Sequence, residues 1–523
     1  MKELKLEELT LEQKLGMTII ARGVRDEEDK EFIFEMIKKR ALGGIQVNVT
    51  PEGMELVKEI KEIADYPILI CADMESGFPM SELRIPNQIA ISSTDSDEMA
   101  YEFARVTAIE AKNAGWNVVW SPVVDFTVDG AQCRNIRCLS DDKDTIARFA
   151  TAMVRGYQGE GMVCSAKHFP SDVTSVDDSH ITTKTSKRTK EELLNEEIYP
   201  YLKLMKDADL SGIMTTHGVY DNIDPDNIST FSKKVVDIIR EQGFDGVIFS
   251  DSLAMMAIAA KYGFGESVPK AVAAGIDLVL PNYRLSFRES YEYMVKGYED
   301  GLLTDERLTE ASRRVIEAQH KTLKQPSQKE VSQYQKDLIS SISEKALCAI
   351  KKDGVETKLS ENTKKCFVVL FENEYPHTDM TSLELLIPSW YKREIAEKRR
   401  EEILDAFPDS NVVLISEFPN QIETEQTCLA MSQADEVIFF TFCRASSYLA
   451  SDGLTRRMEY IINAHLDKIS AIYHEGNPYE LKKFRGADRI FYGAPGSTCG
   501  TYAIKAMKGE FEPTGKVPVK LEG

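Results

Sequence analysis

Short, nearly continuous apolar segments alternate with amphipathic segments over the first 285 residues of the chain. Apolar runs of this kind are typical of strands that are buried on both faces, and intervening segments such as Glu98–Ala114 and Lys143–Tyr157 have helical spacing. Eight such units in roughly 300 residues favour a (β/α)8 barrel over the alternative, an open doubly wound sheet. The eight predicted strands are Met17–Ala21, Gly44–Val47, Ile68–Ala72, Val118–Val124, Met162–Ala166, Gly212–Thr216, Val247–Ser250 and Asp277–Leu280.

A second set of alternating strands and helices follows a polar segment, Gln325–Gln335, which contains a proline and two Ser-Gln pairs and is typical of a linker. The pattern predicts a TIM-type barrel over residues 1–324, a linker over 325–345, and a smaller α/β layered (sandwich) domain over 346–523. The strands predicted in the second domain are Cys366–Leu370, Val412–Ser416, Val437–Phe442, Ile469–Tyr473 and Arg489–Tyr492.

The chain is acidic, with 64 lysines and arginines against 85 aspartates and glutamates. The resulting field repels nucleic acid and anionic membrane surfaces, so we expect neither as a partner. No apolar stretch approaches the ~18 residues of a membrane span, and the charged start, Met1–Lys14, lacks the apolar core of a signal peptide. Nine cysteines without a Cys-x-x-Cys pair favour reduced thiols in a cytoplasmic protein and argue against a metal site.

Ionisable side chains directly follow five of the predicted strands, where the catalytic residues of a barrel lie. A mixed ring of carboxylates, lysine and histidine suits the recognition and cleavage of a small polyhydroxylated molecule, whereas a metal site needs a tighter set of histidines and carboxylates. In chain order these residues are Asp73 and Glu75, Asp125, Lys167 and His168, His217, and Asp251.

Several of these residues also have a purely structural interpretation. Asp251 has the position of a helix N-cap, and His217 suits a hydrogen-bonded histidine of the core. Lys167 and His168 suit a buried ion pair with a neighbouring acid. Asp277 is expected to hold the last turn of the barrel rather than to take part in chemistry.

The loop after the fifth predicted strand is polar, since only Val173 and Val176 are apolar between Ser171 and His180. It places Asp178 two residues before His180, and polar loops of this kind often carry function. An aspartate at this position can accept a hydrogen bond from one nitrogen of the imidazole and fix its tautomer. The alternative is a solvated turn without function.

Three segments in this order, Lys167–Pro170, Asp178–His180 and Gly246–Met255, resemble glycoside hydrolase family 3. The resemblance is closest to the two-domain β-N-acetylhexosaminidase (β-N-acetylglucosaminidase) branch, and it spans nearly the whole chain. The paired loop and nucleophile motifs lie on the expected strands and are highly specific. Further matching segments are Ser121–Asp125, Arg137–Asp142, Ile213–His217 and Pro513–Val519.

The resemblance implies that Asp251 is the nucleophile that attacks the anomeric carbon, and that His180 is the general acid/base with Asp178 as its orienting partner. The implied reaction is a retaining double displacement through a covalent glycosyl-enzyme intermediate. The residues implied to bind sugar hydroxyls are Asp73, Arg137, Lys167 and His168.

The chain departs from the family pattern at two segments that contact sugar. Ser171–Val173 stands where the family usually has Gly-His-Gly. Ser76–Pro79 stands where it usually has Gly-Gly-Arg-Val and a further arginine, and Arg84 is a candidate substitute. These differences bear on the substrate more than on the chemistry.

The sequence therefore predicts an exo-acting β-N-acetylglucosaminidase with a carbohydrate substrate and without cofactor or metal. A β-N-acetylglucosaminide phosphorylase stays open, because a histidine acid/base does not repel phosphate as a carboxylate would. A sugar-binding protein without turnover also stays open, because both arginines of the family motif are missing. A β-glucosidase or β-xylosidase is less favoured, since those branches typically lack the Asp-Ser-His loop.

Overall fold

The chain forms two compact units, and each is described by itself. The computed structural model describes residues 3–78, 86–131, 134–171, 176–178, 180–373, 391–443, 453–493, 495 and 498–521. The first unit comprises residues 1–84, 97–131 and 137–336, and the second comprises 85–96, 132–136 and 337–523. The domain boundaries drawn from the sequence stay a prediction, and Arg84 lies outside the described residues.

A parallel sheet of seven strands forms the centre of the first unit. The strands of this unit are β1 (Ile20–Arg22), β2 (Gly44–Gln46), β3 (Leu69–Ala72), β4 (Val118–Val119), β5 (Val163–Phe169), β6 (Thr185–Ser186), β7 (Gly212–Thr215), β8 (Val219–Tyr220), β9 (Asp224–Ile228) and β10 (Val247–Ser250). The seven-stranded sheet has the order β1-β2-β3-β4-β5-β7-β10, and every neighbouring pair is parallel. β6, β8 and β9 form a separate small sheet.

An eighth segment closes the sheet into a barrel. Leu278 forms a parallel bridge with Phe249 of β10, and Val279 forms one with Ile19 beside β1. The segment Asp277–Leu280, predicted as the eighth strand, thus joins the two edges through single bridges. The predicted (β/α)8 architecture is confirmed, with its eighth position shorter than expected.

The fourth predicted strand, Val118–Val124, is also shorter than expected. β4 contains only Val118–Val119, and Val123 rejoins the sheet through a single bridge to Lys167 of β5. Pro122 lies between these two points, and a proline has no amide hydrogen to donate to a strand ladder. The chain therefore leaves regular pairing before it reaches Asp125.

Helices follow the strands, and several of them begin with a side-chain cap. Asp142, for example, accepts a hydrogen bond from the Thr145 amide at 2.9 Å and starts α6. The helices are α1 (Leu11–Met17), α2 (Glu27–Lys38), α3 (Pro51–Ile63), α4 (Gln88–Ser93), α5 (Asp97–Ala114), α6 (Lys143–Gly159), α7 (Lys190–Asn195), α8 (Tyr199–Ala208), α9 (Lys233–Glu241), α10 (Met256–Ala259), α11 (Ser267–Ala274), α12 (Phe287–Glu299), α13 (Asp305–Lys321), α14 (Ser332–Ala346), α15 (Arg393–Ala406), α16 (Gln421–Ser432), α17 (Arg456–Asn463) and α18 (Cys499–Lys508).

Helix α14 occupies most of the segment that the sequence analysis predicted as a linker, residues 325–345. The polar residues at the start of this segment suggested a linker, but apolar residues further along have the spacing of a helix. Leu338, Ile342 and Ala346 recur every four residues and are buried. The segment is therefore irregular only before residue 332.

Asp277 has the structural role expected for it. Its side chain is fully buried, and Oδ1 accepts hydrogen bonds from Arg307 at 2.7 Å and from Arg314 at 3.3 Å. Oδ2 accepts from Arg240 and from the Ile248 amide of β10. Burial works to raise the pKa of Asp277, but the three guanidinium groups outweigh it and hold the pKa below its ordinary value.

The second unit contains a doubly wound, mostly parallel sheet. Its strands are β11 (Cys348–Lys351), β12 (Lys365–Phe371), β13 (Asn411–Ser416), β14 (Glu436–Phe442), β15 (Ile469–Glu475) and β16 (Arg489–Gly493). They lie in the order β11-β16-β15-β14-β12-β13, and only β11 is antiparallel to its neighbour. The five predicted strands are present, which confirms the predicted α/β class of this part of the chain. The short edge strand β11 was not predicted.

Across the described residues, no helix is both long enough and apolar enough to cross a membrane.

Candidate active site

Asp251 lies directly after β10, at the edge of the barrel where the strands end. Its Oδ1 accepts a hydrogen bond from the Ser252 amide at 2.6 Å, and its Oδ2 lies 3.9 Å from Nε2 of His168. The side chain is 21% exposed. Burial works to raise the pKa of Asp251, but His168, His217 and the Ser252 amide outweigh it and hold the pKa below its ordinary value. The carboxylate is therefore ionised at neutral pH and open to a ligand.

The helix-capping interpretation of Asp251 is wrong. The next helix, α10, begins at Met256, and its N-cap position, Met255, makes no side-chain capping bond. Asp251 instead accepts from the residue that directly follows it.

His168 is held between two carboxylates. Its Nδ1 lies 2.6 Å from Oδ2 of Asp125, and its backbone amide donates to Oδ1 of the same residue at 3.2 Å. Since a carboxylate accepts, Nδ1 carries the hydrogen, and Nε2 faces Asp251. Asp125 therefore fixes both the tautomer and the orientation of the imidazole.

A second cluster of charges surrounds Lys167, the residue before His168. The lysine side chain is 2% exposed, and its ammonium lies 2.7 Å from Asp73 and 2.6 Å from Glu75. Burial works to lower the pKa of Lys167, but the two carboxylates raise it above its ordinary value. The buried ion pair that the sequence allowed is thus present. The side chain of Asp73, in contrast, is 58% exposed, so part of its carboxylate faces outward.

Arg137 completes this cluster through Glu75. Its Nε and Nη2 donate to the two oxygens of Glu75 at 2.8 Å and 2.6 Å, a bidentate pair. Burial works to raise the pKa of Glu75, but Arg137 and Lys167 hold it well below its ordinary value. Glu75 therefore links the two cations and fixes where their remaining hydrogens point.

An irregularity in β5 lets neighbouring residues serve both clusters. The pairing of β5 with β7 shifts register between Lys167 and Phe169, so that His168 stands outside the ladder, and the peptide bond between Lys167 and His168 is cis. Side chains of consecutive residues in a regular strand point to opposite faces, and a shift of this kind re-aims one of them. As a result Lys167 contacts Asp73 while His168 contacts Asp125.

The loop after β5 carries the predicted pair of Asp178 and His180. Oδ1 of Asp178 accepts from the backbone amide of His180 at 2.9 Å and lies 2.7 Å from its Nδ1. The Asp178 side chain is fully buried, whereas the imidazole of His180 is 22% exposed. Asp178 is therefore buried rather than solvated, and it orients a histidine that stays partly exposed; residues 172–175 and 179 lie outside the described residues.

His217 is the hydrogen-bonded core histidine that the sequence allowed. It is fully buried, with Nε2 3.0 Å from the Ser252 carbonyl oxygen and Nδ1 2.8 Å from Oγ1 of Thr230. Because a carbonyl only accepts, Nε2 donates. Burial lowers the pKa of His217 in spite of Asp251, so the ring is neutral at pH 7. It positions Ser252, whose amide in turn contacts Asp251.

Arg22 is a site residue that the sequence analysis missed. It is the last residue of β1, and its guanidinium donates to Oγ of Ser252 and, at 3.2 Å, to the Pro281 carbonyl oxygen. The signal was present, since Arg22 directly follows the first predicted strand, Met17–Ala21. Among the described residues, no group of three or more histidines, cysteines, aspartates and glutamates is arranged to hold a metal ion.

The chain matches known proteins over most of its first unit and in its overall fold. Residues 3–318 match the glycosyl hydrolase family 3 N-terminal domain. A β-N-acetylglucosaminidase/β-glucosidase of Cellulomonas fimi is 27% identical over 331 residues, which cover 60% of this chain and 57% of that protein. A β-hexosaminidase of Haemophilus influenzae is 31% identical over 244 residues, which cover 43% of this chain and 67% of that protein. The solved structure of a family 3 β-N-acetylglucosaminidase from Paenibacillus sp. str. FPU-7 is 22% identical with a TM-score of 0.81, covering 98% of this chain and 99% of that one.

The parallel barrel places an ionised carboxylate, histidines and buried ion pairs at its strand ends, where the active sites of barrel enzymes lie. The chain belongs to glycosyl hydrolase family 3, since the family's N-terminal domain matches well over half of it. The predicted family is thereby confirmed, and so is the predicted class of enzyme, a glycosidase, which acts on O-glycosyl bonds. The chain spans little more than half the length of the Cellulomonas relative, so substrate and mechanism are taken up below as proposals.

Proposed function

We propose that this protein is a retaining, exo-acting β-N-acetylglucosaminidase with Asp251 as nucleophile and the Asp178–His180 pair as general acid/base. The observation that carries the proposal is geometric: the fully buried carboxylate of Asp178 orients the partly exposed imidazole of His180 at 2.7 Å, and Asp251 follows directly after strand β10 of the barrel. A carboxylate nucleophile and a separate proton donor are the two groups that a double displacement needs.

In the first step the carboxylate of Asp251 attacks the anomeric carbon. The bond from this carbon to the leaving oxygen breaks, and the imidazolium of His180 gives its Nε2 proton to that oxygen. Asp178 accepts from Nδ1–H throughout and stabilises the imidazolium before transfer. The products are a covalent glycosyl ester of Asp251, the free alcohol, and a neutral imidazole.

In the second step the neutral imidazole takes a proton from a water molecule. The resulting oxygen attacks the anomeric carbon from the face that the alcohol left, and the bond to Asp251 breaks. The sugar is released with its original anomeric configuration, while Asp251 and the imidazolium of His180 are restored. The same group thus serves as acid and then as base.

The charged cluster around Lys167 is proposed to bind the sugar that is transferred. Asp73 presents an exposed carboxylate that accepts from hydroxyl groups, Lys167 and Arg137 supply donors, and His168 presents its Nε2. Charge-assisted hydrogen bonds of this kind are stronger than neutral ones, and the buried pairs hold them in fixed directions. The names of the relatives and of the structural neighbour support N-acetylglucosamine as this sugar.

A panel of 4-nitrophenyl β-glycosides in phosphate-free buffer tests this function. We expect N-acetyl-β-glucosaminide to give the highest kcat/KM, and NMR at early times to show the β-anomer of the free sugar. Asp251→Ala is the inactive control. An initial α-anomer contradicts the retaining mechanism, and a higher kcat/KM for glucoside or xyloside contradicts the proposed sugar. Sugar binding without turnover on any member of the panel supports the sugar-binding protein.

A glycoside phosphorylase is the second candidate, because the acid/base His180 carries no negative charge in its neutral form. A neutral imidazole admits phosphate near the glycosyl ester of Asp251, where a carboxylate would repel it. Repeating the assay with added phosphate distinguishes the two activities. Sugar 1-phosphate as the main product, with a faster reaction than in its absence, favours the phosphorylase, whereas free sugar as the only product favours hydrolysis.

A further inference from the structure

The side chains on the two sides of Asp251, taken in the order of the barrel strands, differ in chemical character: one side carries charged groups and the other an exposed aromatic ring. On the side of β3 to β5 lie the charged groups of Asp73, Glu75 and Lys167. On the other side, between β10 and β1, the chain after the eighth segment exposes a large aromatic side chain, Tyr283, with 49% of its surface free. The exposed aromatic side chain thus lies on the opposite side of Asp251 from the charged cluster around Lys167.

Tyr283 is connected to the candidate nucleophile through residues whose contacts are short. The Leu253 amide donates to the Leu280 carbonyl oxygen at 3.1 Å, which ties the loop of Asp251 to the segment that carries Tyr283. Arg22 donates to Oγ of Ser252, the residue after Asp251, and its guanidinium carbon lies 5.5 Å from the centre of the Tyr283 ring. A guanidinium at this distance from an aromatic ring is attracted to it.

The ring of Tyr283 therefore lies within reach of the Arg22 guanidinium, while 49% of the residue's surface stays exposed. Its hydroxyl makes no hydrogen bond to any residue that the structure describes, so the exposed side chain offers mainly its aromatic surface. Aromatic groups that are fixed by the protein and left open are suited to stacking on an apolar, planar group. Met256, the first residue of α10 and five positions after Asp251, is another apolar side chain, 48% exposed.

We infer that Tyr283 is the platform for the leaving group of the substrate, with Arg22 as its positioning residue, and that it selects for leaving groups with an aromatic or flat apolar face. The inference rests on the proposed function, because it assigns the transferred sugar to the charged cluster around Lys167. It follows that binding of the sugar alone does not involve Tyr283, whereas binding of an aryl glycoside does.

The test is the binding of two thioglycosides that resist hydrolysis, phenyl and methyl 1-thio-N-acetyl-β-glucosaminide, measured by calorimetry. In the wild type we expect the phenyl compound to bind more tightly than the methyl compound. Tyr283→Ala should lower the affinity for the phenyl compound roughly 3- to 10-fold, which is the size of one aromatic stacking contact. The affinity for the methyl compound should not change. Tyr283→Phe should keep the wild-type preference, since only the ring is needed.

Tyr334→Ala is the matched control, because Tyr334 is 44% exposed and also has a guanidinium, that of Arg105, 5.5 Å from its ring centre. If Tyr283→Ala lowers the affinity for both compounds equally, or for neither, the inference is overturned and the proposed function is unaffected. A wild type that binds neither compound and cleaves no glycoside overturns both. Circular dichroism of each variant shows whether a loss comes from unfolding.

Discussion

Replacing Asp178 by asparagine isolates the contribution of one negative charge to the proposed acid/base pair. The Asp178 side chain has no exposed surface, and its Oδ1 accepts from both the amide and Nδ1 of His180, at 2.9 Å and 2.7 Å. Asparagine has nearly the same shape and keeps an acceptor oxygen in this place. The geometry is therefore retained, while the carboxylate opposite the imidazolium is lost.

The expected effect follows from the difference between two kinds of hydrogen bond. A bond to a charged group is worth about 1.5–3 kcal/mol and a neutral one about 0.5–1.5 kcal/mol, so the change removes about 1–1.5 kcal/mol from the protonated pair. Since about 1.36 kcal/mol of activation free energy corresponds to a tenfold change in rate, the step that uses the imidazolium should slow roughly 5- to 13-fold. His180→Ala removes the whole group and should cost about 10²–10⁴-fold in the same step.

The assay is kcat/KM on a series of aryl β-glycosides whose leaving groups differ in acidity. A poor leaving group needs its proton, so we expect the losses above for the least acidic phenols and a much smaller loss for dinitrophenol. Asp177→Asn is the matched control, because Asp177 is an exposed acid beside Asp178. Wild-type rates on every substrate in both Asp178→Asn and His180→Ala refute the reasoning and move the acid/base to another residue.

Three further predictions concern the carboxylates of the site. Asp251→Ala should abolish turnover without a change in circular dichroism, and azide or formate should partly restore it; near-wild-type turnover contradicts the assignment. Asp73→Ala should raise KM more than it lowers kcat, because its exposed carboxylate is proposed to bind sugar hydroxyls, and unchanged kinetic constants speak against this role. Glu75 has a pKa held well below the ordinary 4.5 by Arg137 and Lys167 against the effect of burial, so its ionised form stabilises the folded state fully above about pH 4.5 and progressively less as the pH falls below that value. Urea unfolding should therefore show a smaller difference between wild type and Glu75→Gln at pH 3.5 than at pH 7, and a difference that does not change with pH contradicts it.

The parts of the barrel that the sequence predicts well are those that local physical chemistry decides. Apolar runs between amphipathic segments are visible residue by residue, and polar residues after them mark one edge of a parallel sheet. This is why Asp73, Lys167 and Asp251 could be proposed together before any distance was known. The same rule applied to β1 would have found Arg22.

The parts that the sequence did not predict depend on contacts between distant residues. Nothing near Glu75 in the sequence indicates that it bridges Arg137 and Lys167, 62 residues and more along the chain. The register shift at His168 is equally invisible, since it arises from how β5 meets β7. Helix α14 was missed because the polar residues before it concealed the buried spacing that begins at Leu338.

The hydrogen bond between Asp178 and His180 spans only two residues, and this locality has a consequence for protein engineering. A pair of side chains assembled from distant strands depends on the whole scaffold, whereas Asp178 and His180 lie two positions apart in the chain. The bond that orients the imidazole therefore does not depend on how distant strands are paired. On the proposed mechanism, this short segment is suited to transplantation into another barrel whose strands already supply a nucleophilic carboxylate.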